Sequence, residues 1–189
     1  MVSRIFVTSD HHFFHKNIIS LCGREFESQE VMHEFMIDAW NSHVTDKDIV
    51  YHLGDFCMGK QDASDSIISQ LNGKINFIRG NHDRRWFGKT DYHDKVSFLE
   101  PIHLLKYQHH RFVLCHYPLV EWEGYFRGRL HLHGHCHGNL PNRVEGSMDV
   151  GVDNVGYVPL DIETLLSRLE GEKRSPDGKK DSRIGTWQK

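Results

Sequence analysis

The segment LHLHGHCHG, residues 130–138, places histidine at every second position: His131, His133, His135 and His137. On a β-strand alternate side chains share one face, so all four could converge on one side of a sheet. Gly134 interrupts the run, and glycine inside a strand pattern marks a bend or a bulge. The alternative is two histidines on a strand and two in the loop that follows it. The chain holds 16 histidines in 189 residues, and imidazole is the commonest metal ligand, so a metal site is expected.

One pattern recurs along the chain. An apolar run stops and side chains able to bind a cation follow at once. RIFVTS leads into Asp10-His11-His12, DIVYHL into Gly54-Asp55, and INFIR into Gly80-Asn81-His82-Asp83. RFVLC leads into His116, and RLHLH into Gly134-His135-Cys136-His137. In sheet-based α/β proteins functional groups gather beyond the carboxyl ends of strands. Gly54, Gly80 and Gly134 suit a sharp turn at each exit. The donors are hard oxygen and borderline nitrogen, which suit manganese, iron, zinc or magnesium better than copper(I). They are too many for one four-coordinate ion, and two ions sharing a carboxylate would account for them.

These side chains need elements to hold them. RIFVTS (4–9), DIVYHL (48–53) and INFIR (75–79) read as strands. Ser28 is expected to cap a helix running to Asn41, with Met32, Phe35, Met36 and Ala39 on its inner face. A second helix is expected over Asp62 to Leu71, with Ile67, Ile68 and Leu71 inward and Gly73 after its end. IHLLKY and RFVLC flank QHH as a hairpin or two neighbouring strands. RLHLH (129–133) and SMDVGV (147–152) follow, with Asn142 and Gly146 in the turn between them. Asp161 is placed to cap a last helix, Ile162 to Glu170. Strand–helix alternation followed by late antiparallel strands predicts a mixed α/β layered fold. The expected domain spans residues 1–170, and residues 171–189 read as a polar, mobile tail partly docked through Trp187.

DHH (10–12), GD (54–55), GNHD (80–83), His116 and GHCH (134–137) resemble, in order, the five motifs of the calcineurin-like metallophosphoesterases. The wording SDHHFFHKNII and the short chain are similar to the small prokaryotic and viral members. The resemblance implies an αββα sandwich with two mixed sheets. It implies that Asp10, His12 and His137 hold one divalent ion, that Asp55 bridges, and that Asn81, His116 and His135 complete a second. His82 would be the catalytic imidazole, with Asp83 orienting it and Asn81 also donating to a phosphate oxygen. The implied cofactor is a pair of divalent ions, manganese first, with iron, zinc, nickel or magnesium as alternatives. Such ions lie roughly 3.5–4 Å apart and acidify a bridging water, whose hydroxide attacks phosphorus in line. His131 and His133 fall outside the motif. Beside it, His15 and Arg84 are candidate substrate contacts, and His11, Arg24, Arg79 and Arg85 lie close in sequence. Asp149 and Asp153 are read first as caps of the last strands, and second as partners of the histidines.

The expected activity is therefore hydrolysis of a phosphate ester, a small molecule or nucleotide, with diesters slightly favoured over monoesters. The alternatives are a phosphomonoesterase, a nuclease, or a catalytically silent metal-binding scaffold. A net charge of -3 without basic–aromatic interleaving disfavours nucleic acid as substrate. His33-Glu34 does not continue as HExxH because position 37 is Ile37, and no PCxxC accompanies an HxE, so zincin and zinc-deaminase chemistry are excluded. Cys22, Cys57, Cys115 and Cys136 form no CxxC pair. With no signal-peptide pattern at the start and no long apolar run, a cytoplasmic protein without a membrane partner is expected. The sequence carries no signal for oligomeric state.

Overall fold

The computed structural model describes residues 3–173. Two mixed sheets form the frame. The first has the order β4-β3-β2-β1-β9, from β1 (Ile5–Thr8), β2 (Ile49–His52), β3 (Lys74–Phe77), β4 (Val96–Phe98) and β9 (Leu160–Asp161). β1 to β4 run parallel, and β9 closes the edge antiparallel to β1. The second has the order β5-β6-β7-β8, from β5 (Ile102–Tyr107), β6 (His110–Cys115), β7 (Leu130–His133) and β8 (Ser147–Asp149).

The alternation of side chains divides the core in two. Phe6, Val50, Ile75 and Phe77 pack with Met32, Met36, Trp40, Ile67 and Ile68 of the helices α2 (Gln29–His43) and α3 (Gln61–Ile68). Val7, Leu53 and Ile78 turn to the opposite face and meet Leu114 and Leu132 from the second sheet and Val150 just past β8, together with Leu165 and Leu169 of α5 (Ile162–Lys173). The parallel strands are thus covered on both sides, as such sheets require. The layered α/β arrangement with two mixed sheets agrees with the sequence reading.

Three local expectations are corrected. The late strands were expected antiparallel, yet β6–β7 and β7–β8 are parallel, and only β5–β6 in that sheet is antiparallel. Tyr107 faces His110 across the tight turn Gln108-His109, whereas residues 134–146 are long enough to cross over and return β8 in the direction of β7. The inner face of α2 is Met32, Met36, Ile37 and Trp40, while Phe35 is 48% exposed. Phe35 lies instead against Phe26 and Tyr157, at 5.4 and 6.0 Å between ring centroids. Ser28 does cap this helix, accepting from the Val31 N–H at 3.3 Å. Finally, α5 continues to Lys173, past Glu170, with the Asp161 carboxylate accepting the Glu163 N–H at 2.8 Å. Trp187 and the rest of 174–189 lie outside the described residues.

Truncating Met36 to alanine should cost about 2–5 kcal/mol in urea unfolding, and truncating Phe35 only about 1 kcal/mol. A cost at Phe35 as large as that at Met36 would restore the helix face expected from sequence.

Candidate metal centre

The strand exits meet. Asp10 and His12 follow β1, Asp55 follows β2, Asn81 and His82 follow β3, His116 follows β6, and His135 and His137 follow β7. Because β6, β7 and β8 are parallel, all three deliver their carboxyl ends to this edge. Of the two arrangements open for residues 130–138, the second holds: His131 and His133 lie on β7, and His135 and His137 lie in the loop after it.

The backbone at these positions is unusual. Asp10, His12, Asp55, His135 and His137 have φ of 62°, 55°, 54°, 72° and 48°. Left-handed conformation costs an L-residue roughly 1–2 kcal/mol, and clustered strain of this kind is typical of functional sites. The glycines act by close approach. A Cβ on Gly80 would lie 2.1 Å from Asp55 Oδ1, and one on Gly134 would lie 2.1 Å from Ser9 Oγ and 2.2 Å from Asp10 Oδ2. Of the three exit glycines only Gly54, at φ 101°, needs a left-handed turn.

The expected donors form two clusters, and a third group joins Cys22 and Asp153 to His137. Asp10, His12 and His137 present atoms within 4.8 Å of one another, and so do Asp55, His116 and His135. Asp55 Oδ2 stands between them, 3.6 Å from His12 Nε2 and 3.5 Å from His116 Nε2. The His135 N–H donates to both oxygens of Asp10, at 3.1 and 3.0 Å, which ties the clusters together.

The residues fit bound cations. His116 Nδ1 donates to the Leu53 carbonyl at 2.9 Å, so in the neutral ring the Nε2 lone pair faces Asn81 Oδ1 at 2.9 Å as well as Asp55 Oδ2. Converging lone pairs of this kind call for a proton or a metal between them. Among the described residues neither ring nitrogen of His12 has a hydrogen-bond partner, although the residue is buried. Burial pushes the Asp10 carboxyl up to about 7, with the Asp55 charge adding to it and the His116 and His137 imidazoles opposing it. Burial likewise pushes His12 down to about 2. At Asp55 the burial effect is overcome by the hydrogen bond and charge of His116, then by His12, and the carboxyl falls to about 2.

The sequence matches the family model of the calcineurin-like phosphoesterases over residues 3–174. The chain belongs to the calcineurin-like phosphoesterases. It is 35% identical over 178 residues to an uncharacterized protein of Methanocaldococcus jannaschii, covering 90% of this chain and 93% of that one. Its fold is similar to the crystal structure of a protein of unknown function from Aquifex aeolicus, with a TM-score of 0.66 at 22% identity, covering 88% of this chain and 99% of that chain.

Within this calcineurin-like phosphoesterase the other expected residues fall into place unevenly. The His82 side chain is 38% exposed, with Nε2 3.9 Å from Asp55 Oδ2, and its N–H donates to Asp55 Oδ1 at 2.8 Å. His15 lies beside it, its ring 5.4 Å from His12 and 5.9 Å from His82. Arg84 is exposed one residue past Asp83. Asp83 does not orient the His82 ring as expected. It is fully buried, and its carboxylate accepts the N–H groups of Asp55, Phe56, Cys57 and Gly80 and the Trp86 indole N–H. Those donors saturate both oxygens.

Arg24 is not a phosphate fork. It is 4% exposed, pairs with both oxygens of Asp153 at 2.7 and 2.8 Å, and donates to the carbonyls of His11 and Asp10 at 2.9 and 2.8 Å. Asp153 in turn accepts from His137 Nδ1 at 2.6 Å, which leaves Nε2 of that ring for a cation. Burial raises the Asp153 carboxyl, but His137 and Arg24 outweigh it and hold it down to about 2. The weaker of the two sequence readings for Asp153 is therefore the observed one. A further support is the buried pair His11–His52. The Gly54 N–H donates to His52 Nδ1 at 3.2 Å, so His52 Nε2–H donates to His11 Nδ1 at 3.0 Å. Both pairs join residues far apart in sequence, and only their polar types in apolar surroundings hinted at them.

Replacing Asp153 by asparagine should weaken metal binding on the order of 10–100-fold in a chelator-competition titration, with the fold intact by circular dichroism. Unchanged affinity would remove Asp153 from the support of His137.

Proposed function

We propose that this protein is a dinuclear-metal-dependent hydrolase of phosphate esters, with diesters preferred over monoesters. The observation that carries the reading is the position of Asp55 Oδ2, within 3.6 Å of an imidazole nitrogen from each donor cluster. Asp10, His12 and His137 would hold one ion and Asn81, His116 and His135 the other, with Asp55 shared and manganese the first candidate on donor chemistry. When bound, such ions polarise phosphoryl oxygens and lower the pKa of water toward neutrality.

The chain's own groups supply the rest. Asn81 turns Oδ1 toward His116, which leaves its amide Nδ2 to donate to a phosphate oxygen. His82, held by its N–H bond to Asp55, keeps an exposed ring that can hand a proton to the leaving oxygen. His15 extends the same wall and is a candidate contact for the substituent on phosphorus. Asp83 acts indirectly by fixing the loops that carry Asp55 and His82. The diester preference is supported by Arg24, which is consumed internally and cannot grip a dianionic phosphate. Arg84 remains a candidate for contact with a substrate's outer part.

The test is turnover of bis-p-nitrophenyl phosphate, p-nitrophenyl phosphate and 2′,3′-cyclic nucleotides with manganese, before and after chelation. Metal-dependent turnover, faster on diesters, is expected. Replacing His82 by alanine should leave the metal content intact and lower the rate on the order of 10²–10⁴-fold. Metal loss in that variant, or turnover equal to wild type, would remove the role given to His82.

A further inference from the structure

The connection between β6 and β7 begins at His116 and exposes large apolar side chains: Tyr117 at 43%, Val120 at 86% and Phe126 at 80%. It is nevertheless well anchored. The Leu119 N–H donates to His131 Nε2 at 3.1 Å, and His131 is oriented by donating from Nδ1 to the Val113 carbonyl at 2.9 Å. Trp122 is 6% exposed and donates from Nε1 to the Arg129 carbonyl at 2.9 Å. Pro118 restricts the backbone of Tyr117 to extended conformations.

The Tyr117 ring stands against both imidazoles of the second cluster, with centroids 4.9 Å from His116 and 4.8 Å from His135. Its hydroxyl has no hydrogen-bond partner among the described residues. A tyrosine retained for packing usually buries its ring and engages its hydroxyl; Tyr107, partly buried, donates its hydroxyl to Glu163 at 2.7 Å. Tyr117 instead offers solvent a pre-positioned aromatic surface beside the groups that would take up a phosphoryl oxygen.

We propose that Tyr117 is a substrate-contacting residue whose exposed ring stacks on a nucleobase, so that the preferred esters are nucleotides. The inference rests on the phosphoesterase reading above and narrows its substrate class. Stacking suits the site because a rigid ring loses little freedom on binding and every base presents a π-face. His131 then has a role outside the ligand set: it holds the loop that presents the ring.

The experiment is calorimetric titration of the manganese-loaded full chain with adenosine monophosphate, glycerol 3-phosphate and inorganic phosphate. Wild type, Tyr117→Ala and Tyr117→Phe are compared, and bound manganese is measured in each. Tyr117→Ala should weaken adenosine monophosphate on the order of tenfold and leave the other two ligands within about twofold. Tyr117→Phe should bind all three like wild type. Equal weakening of all three ligands, or loss of manganese, would make the ring a prop for His116 and His135 and overturn the proposal. Unchanged nucleotide affinity in Tyr117→Ala, or a wild type that does not distinguish the nucleotide from glycerol 3-phosphate, would overturn it too. A wild type that binds the nucleotide through Tyr117 but hydrolyses no phosphoester would bring down the phosphoesterase reading alone.

Discussion

The buried carboxylate of Asp83 determines where the site can form. It accepts N–H groups from the loop after β2 and from the loop after β3, and an indole N–H from Trp86. Two strand exits are thereby drawn so close that position 80 has room only for glycine. Burial raises this carboxyl, with the hydrogen bonds from Gly80, Cys57 and Asp55 opposing, and only the ionised form accepts from every donor. Asp55, Asn81 and His82 inherit their positions from that junction.

A second consequence of convergence is electrostatic. Asp10, Asp55, His12 and His116 are all buried at the strand ends, and burial opposes the charged form of each. Left-handed backbone at Asp10, His12, Asp55, His135 and His137 adds strain. Cations bound only by the folded chain would offset both costs, since any ligand selective for the native state stabilises it. The protein elements contribute rigidity on one side through Arg24 and Asp153, and on the other through the His11–His52 pair.

Legibility in the sequence followed the range of the interaction. The residues of both donor clusters could be read because each sits directly after an apolar strand, a local signal that topology then brings together. The direction of β8 could not, because strand polarity depends on how residues 134–146 cross the sheet. That one reversal carries Asp153 to His137, and with antiparallel pairing it would have emerged at the far edge. Phe35 misled because helical spacing alone does not separate the core face from a flanking aromatic contact with Phe26 and Tyr157. Asp83 stands beside His82 in sequence, whereas its donors come mostly from a loop 26–28 positions earlier. The expected tail lies mostly outside the described residues.

The most direct measurement is metal stoichiometry of the wild type and of Asp55→Asn, by anomalous diffraction and by elemental analysis of the same preparation. Two ions on either side of Asp55 in the wild type, with loss or marked weakening of both in the variant, is the predicted result. A single ion at full occupancy, or two ions held as tightly after the substitution, would contradict the shared-carboxylate site.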